Sequence, residues 1–441
     1  MAEQLIRNEQ VEGSIPFAGF YIMKTNLELL KQRNFLLLWL GQIVSQFGDR
    51  LTQMALIGLV YKMGPGSSMQ LAKMMSLAII PVFLISPVAG VYVDRWQKRK
   101  TMYISDISRG LFILLIPAAI AADSMILVYI LIFLSYCSGR FFIPAKMAII
   151  PSLATGDSLL FANSLFSVTG MIAAVLGFGL GGIMVEKWGV KTAFTIDALT
   201  FFVSALTILL MRIDEKGQFN AKDLLNLGKD AIKNVKNSFL HESKEGLKYL
   251  FQSKETLYSA KIMFILFAAI GSLYTVFIVF LQQSLGTVTK ELGFVAVGAG
   301  AGLFLGSVLY GKAGTKLPIR GVINFSMLLA SIYLCIFVNA LSANPNKNFA
   351  FYSCLFLGIL ISPIVIAINT LIHQESENNF WGRIFSYLEV VIHLAFIIFM
   401  FTASFLAEKF SPFTVILWVG IILAAFSIIN LMKDNGTRQR A

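Results

Sequence analysis

The chain carries about twelve apolar stretches, most of them 20 or more residues long: 35–61, 71–93, 102–122, 125–147, 160–185, 191–211, 258–284, 291–312, 320–341, 349–372, 383–407 and 412–432. A helix of about 20 apolar residues crosses the hydrocarbon core of a bilayer. Of the 441 residues 57% are hydrophobic and 14% charged, where soluble domains have about 45–50% and about 25%. A soluble fold of this size has no interior large enough for that apolar surface, so part of its solvent is lipid. Disorder, a coiled coil and a disulfide scaffold are excluded on the same ground. The expected fold is an all-α membrane protein. Residues 1–30 are polar and mixed, unlike a signal peptide, so the first span is expected to be an uncleaved helix.

The net charge of +12 formally admits nucleic acid, but the placement of the basic residues argues for membrane topology, and no nucleic acid is expected. With the N-terminus inside, the inner segments hold 25 Lys and Arg and the outer connections 7. By the positive-inside rule both termini are expected in the cytoplasm, at a bacterial inner membrane. The longest connection, 212–257, divides the spans six and six. Within it Ile232, Val235 and Phe239 recur at helical spacing beside Lys229, Lys233 and Lys236. That reads either as an amphipathic helix on the inner membrane face or as a plain charged linker. The expected organisation is a cytoplasmic segment 1–34, a six-helix half 35–211, the linker 212–257, a second half 258–432 and a tail 433–441.

The halves look related. Pro144 matches Pro363 at an offset of 219, and Asn163-Ser164-Leu165-Phe166-Ser167 matches Gly382-Arg383-Ile384-Phe385-Ser386 at the same offset. Gly90 at the end of the second span matches Gly306 in the eighth. Two repeats of one orientation imply a pseudo-two-fold axis along the membrane normal, so that one half can rock against the other.

Cys137, Cys335 and Cys354 lie singly in apolar runs and read as small apolar filler. His241, His373 and His393 are scattered, so no metal site is expected. No cofactor is expected either, and the absence of a Walker loop argues against direct ATP drive.

The loop after the second span reads Gly90-Val91-Tyr92-Val93-Asp94-Arg95-Trp96-Gln97-Lys98-Arg99. It resembles the signature loop of the major facilitator superfamily, with Gln97 where the pattern has Gly. Further along come Pro144-Ala145-Lys146, Phe161-Ala162-Asn163-Ser164-Leu165, Gly181-Gly182, Asp197-Ala198-Leu199-Thr200-Phe201, Glu245-Gly246-Leu247-Lys248 and Trp381-Gly382-Arg383-Ile384-Phe385. This series is similar to the branch of that superfamily that holds bacterial macrolide and enterobactin-type siderophore exporters. The resemblance covers nearly the whole chain from about residue 34. It implies twelve helices in two six-helix halves, alternating access and a small-molecule substrate, with the proton as coupling ion; the protein is expected to work as a monomer. It also implies a gate around Gly90, Asp94, Arg95, Lys98 and Arg99, with Gly382 and Arg383 in the second half. Gly90 would let a helix of the other half come close, Asp94 would meet the positive end of a facing helix, and Arg95 would pair with a carboxylate. One departure stands in the fifth span, where Phe178 occupies the place of a proline common in exporters; the glycines around it still permit close helix packing.

Charges at membrane depth cost roughly 2.5–3.5 kcal/mol each on insertion scales, so they face the protein interior and tend to mark function. Asp49 and Arg50 lie mid-span and point about 100° apart on a helix; one is expected in the cavity and the other against a neighbouring helix. Asp106 and Arg109 share a face three residues apart and are expected to neutralise each other. Arg140 has no acid on its own helix and is expected to meet Asp49 or Asp106, or to attract an anionic substrate. Asp197 is expected to bond backbone at a helix-packing position. Glu389 and His393, four apart, read either as a proton-carrying pair or as a polar contact between helices. By elimination Asp49, then Glu389, are the expected coupling acids. Export of an amphipathic molecule by proton antiport is the leading expectation. Movement of a lysophospholipid between leaflets and a non-transporting receptor on the same fold are alternatives. An enzyme is not expected, since no Ser/His, His-Glu-x-x-His or paired-Asp arrangement occurs.

Overall fold

The computed structural model describes residues 27–154, 157–213, 254–313, 317–375 and 381–438. Among them are a short 3-10 helix, Leu27–Lys31, and thirteen α-helices. These are α1 (Arg33–Met63), α2 (Ser68–Leu84), α3 (Ser86–Arg95), α4 (Lys98–Ala121), α5 (Met125–Leu153), α6 (Asp157–Trp188) and α7 (Val190–Leu209). The rest are α8 (Lys254–Leu285), α9 (Lys290–Ala313), α10 (Ile319–Ala343), α11 (Lys347–Glu375), α12 (Trp381–Lys409) and α13 (Pro412–Arg438). Every apolar run falls on helix. Ten of these helices are long and apolar enough to cross a membrane. Helix α1 has the length but not the composition, because Gln42, Gln46, Asp49 and Arg50 interrupt it.

The second run, expected as one span, is a bent pair: α2 and α3 meet at 58°. Pro81 lies inside α2 and Pro87 in the first turn of α3. Each proline lacks an N–H, so two rungs of the backbone ladder near the break are missing, the usual cause of a sharp kink. The expected linker helix lies outside the described residues.

The chain divides into two compact units, one of residues 1–59 and 74–241, the other of 60–73 and 242–441. In the first, α4 packs on both α5 and α7. Its apolar core gathers at one end of the helices, where Phe35 and Leu38 of α1, Met102 of α4, Phe142 and Ile149 of α5, Phe161 of α6 and Ile208 of α7 are buried together. Trp96, just past α3, is 2% exposed and stacks on Phe141 with ring centroids 6.0 Å apart. In the second unit, α9 packs on α11, α8 on α12 and α10 on α13. The α1–α2 turn belongs to this unit: Ser67 Oγ donates to Glu408 Oε1 at 2.5 Å and the Met69 N–H to the same oxygen at 3.3 Å. The three cysteines are free thiols.

Candidate transport and coupling site

Three helices of the first unit supply acids at membrane depth, and each acid reaches a different neighbour. Asp49 of α1 forms an ion pair with Arg109 of α4. Asp106 of α4 accepts a hydrogen bond from Ser204 of α7 at 2.6 Å. Asp197 of α7 accepts one from Thr52 of α1 at 2.5 Å and one from Thr200 at 3.0 Å. The three contacts close a ring, α1 to α4 to α7 and back to α1.

Local sequence makes the ring possible. Asp197, Thr200 and Ser204 follow one another at three and four residues, so they line one face of α7. Gly48 and Thr52 are one turn apart on α1. A Cβ at Gly48 would collide with Asp197 Oδ1 and Thr200 Oγ1, so the glycine lets the Asp197 carboxyl lie against the backbone of α1. Asp106 is 1% exposed and Asp197 fully buried. Burial of this kind is tolerable because polar groups inside a protein find partners; for these two the partners are hydroxyls.

The expected Asp106–Arg109 pair does not form. The Arg109 guanidinium turns to Asp49 instead and lies over the Phe201 ring, 4.0 Å from its centroid. A desolvated guanidinium over an aromatic face gains about 2 kcal/mol, which Asp106, on the same helix, does not offer. Arg109 also runs past Gly139 of α5, where a Cβ would stand 3.4 Å from its Nε. Arg50 points elsewhere, as the helix geometry requires. It donates to Gln53 at 3.3 Å and lies 5.4 Å from the Phe178 ring centroid. The residue that departs from the exporter pattern is thus part of the surroundings of a half-buried arginine. Gly177 and Gly181 of α6 do give close packing, against Arg50 and Leu51 of α1. Arg140 of α5 meets neither Asp49 nor Asp106: among the described residues it forms no ion pair, and its Nε is buried without a hydrogen-bond partner.

Asp197 was expected to bond backbone; its carboxyl bonds the hydroxyls of Thr52 and Thr200 instead, because Gly48 brings α1 close enough. Elsewhere in the first unit Lys146 of α5 donates to Gln42 of α1 at 3.3 Å and lies 5.4 Å from the Phe166 ring centroid. Trp39 donates to Thr169 at 2.8 Å. The signal that could have found the ring is the face Asp197, Thr200, Ser204 together with Gly48 and Thr52, which are short polar or absent side chains at helical spacing.

The loop after α3 carries the residues named for a gate. A Cβ at Gly90 would meet nothing within 4 Å. Asp94 and Arg95 are exposed, and their side chains make no hydrogen bond or ion pair among the described residues. The lysine and arginine that follow act as helix caps. Lys98 Nζ donates to the carbonyls of Val93, Asp94 and Trp96 at 2.8, 2.7 and 3.0 Å. Arg99 donates to the carbonyls of Ile208 and Leu209 at 3.3 and 2.6 Å. They satisfy the orphan carbonyls at the ends of α3 and α7. The side chains of Arg383 and Glu389 lie outside what the structure describes, as do the surroundings of Gly382. The His393 ring lies 6.3 Å from that of Phe267, centroid to centroid. Among the described residues no group of three His, Cys, Asp or Glu is placed to hold a metal ion.

Membrane-length helices around a network of acids, arginines and hydroxyls define a polytopic membrane protein. The family described as Major Facilitator Superfamily matches residues 38–287, more than half of the chain, and the chain belongs to that superfamily. It is a membrane transporter. It is 27% identical over 364 residues to the putative bacilysin exporter BacE of Bacillus subtilis (strain 168), covering 81% of this chain and 86% of that protein. It is 22% identical over 408 residues to macrolide efflux protein A of Streptococcus pyogenes, covering 90% of this chain and 94% of that one. A POT family transporter solved in complex with 5-aminolevulinic acid superposes with a TM-score of 0.69 at 12% identity, over 91% of this chain and 96% of that one, a likeness of fold.

Proposed function

We propose that this transporter exports an amphipathic small molecule by exchange for protons, with the ring of the first unit as its coupling site. The observation that carries the reading is the set of three acids at membrane depth of which one, Asp49, has a cation partner while Asp106 and Asp197 have hydroxyl partners. A proton antiporter needs an acid that ionises at one stage of the cycle and is neutral at another, in surroundings of low polarity. Exporters among the relatives support the outward direction, and the macrolide relative suggests a probe. In inside-out vesicles carrying the purified protein, an acid lumen should drive accumulation of a labelled macrolide, and collapse of the gradient should abolish it. Uptake that ignores the gradient would point to a uniporter.

The orientation belongs to the same proposal. The excess of 25 inner over 7 outer basic residues supports cytoplasmic termini at a bacterial inner membrane. Single cysteines at Lys222 and Lys347 should label from opposite sides of sealed cells, Lys347→Cys from outside. Labelling of both from outside would overturn the orientation.

A further inference from the structure

We propose that Asp106, not Asp49, holds the exchanged proton, as the one member of the α1–α4–α7 ring with a buried oxygen that has no hydrogen-bond partner. The inference rests on the antiport reading above and assigns its coupling group.

Elimination from sequence favoured Asp49 because Arg109 was given to Asp106. The structure exchanges the two. Asp49 carries the guanidinium and is 32% exposed at its side chain. Protonating it would break that ion pair and leave the Arg109 guanidinium without its carboxylate partner. Asp197 has both carboxyl oxygens engaged, by Thr52 and Thr200. Asp106 differs from both. Its Oδ2 accepts from Ser204 at 2.6 Å, while its Oδ1 is buried and accepts no hydrogen bond. An ionised carboxylate with an empty buried oxygen is the costliest form of the group. A proton on Oδ1 removes that charge without disturbing Ser204 or the Asp49–Arg109 pair.

The charged groups that act on Asp106 are Arg109 on its own helix and Asp49 from α1; Arg109 in turn feels Asp197 of α7 and Tyr136 of α5. Arg109, one turn away on α4, is the cation that acts on Asp106 when it gives up its proton. The step itself is a proton transfer. An O–H bond forms on Asp106 with a proton taken from water on one side of the membrane, and breaks with return of that proton to water on the other. Ser204 acts as a positioning residue: its hydroxyl fixes the carboxyl and can donate to either protonation state.

Infrared difference spectroscopy between acid and alkaline buffer, on the whole protein in lipid nanodiscs, reads this without any substrate. A protonated carboxyl has a C=O stretch separate from that of a carboxylate. The wild-type protein should show such a band appearing on acidification. Asp106→Asn should lose it, and Ser204→Ala should keep it at a shifted frequency, since one hydrogen bond to the group is gone. A band that survives in Asp106→Asn, or that stays unmoved in Ser204→Ala, overturns the assignment. Asp106→Asn keeps the size of the side chain and an acceptor for Ser204; should it not fold, Ser204→Ala decides by itself. Failure of antiport would show instead as gradient-independent uptake in vesicles of wild-type protein, with the band still present.

Discussion

Arg109→Met is expected to abolish gradient-driven transport and to destabilise the purified protein, and adding Asp49→Asn is expected to recover the stability but not the transport. Breaking a fully buried ion pair from one side costs roughly 3–5 kcal/mol, because the abandoned charge has no partner. The Asp49 side chain is 32% exposed, so screening by water lowers the expectation to about 1–3 kcal/mol. The lost contact with the Phe201 face adds to this. In the double variant no charge is stranded, so the two changes should couple by an amount that a double-mutant cycle reads directly. Thermal unfolding in detergent measures the first quantity and vesicle uptake the second. A single Arg109→Met variant as stable as wild type would show that the pair contributes nothing to the fold.

Gly302→Ala is expected to be among the most damaging single changes in the second unit, whereas Gly90→Ala should leave the fold intact. A Cβ at Gly302 would collide with the Leu355 carbonyl oxygen and stand 2.8 Å from its carbon and 3.0 Å from its Cα. Gly306 and Gly358 face the same α9–α11 interface, with Ile359 O at 2.7 Å and Leu303 N at 2.7 Å from their Cβ positions. All of these neighbours are backbone atoms, which cannot rotate aside, so the helices must part. Overpacking costs typically 1–3 kcal/mol, occasionally more, and here about 3 or above. At Gly90 the Cβ position is open, and alanine in a helix gains up to about 1 kcal/mol over glycine. Thermal unfolding of the two variants should differ by many degrees; equal midpoints would mean that α9 and α11 are not in close contact.

Gly90 and Gly306 read as matching places in a repeat, but a Cβ would be in the open at Gly90 and crowded by Ile359 of α11 at Gly306. A repeat pattern carries residue types, and contact depends on where a helix goes after it breaks. Pro81 and Pro87 were legible as prolines, but that they bend the second span by 58° depends on how α2 and α3 pack. The Asp49–Arg109 pair was illegible for a similar reason. Sequence spacing reveals partners on one helix, and it gave Arg109 to Asp106 three residues away. The true partner is 60 residues distant, on a helix whose rotation no local pattern reports.

Residue order alone set the solvent, the all-helical class and the segments in which charge is buried. These follow from apolar run length and the cost of charge in hydrocarbon, which act on each segment separately. Which acid keeps a cation, which bonds hydroxyls and which has an oxygen without a partner was settled by packing. That choice is made by helix rotation and by glycine-permitted approach, Gly48 of α1 against Asp197 of α7 above all. Both depend on three helices at once, so no stretch of the chain contains them.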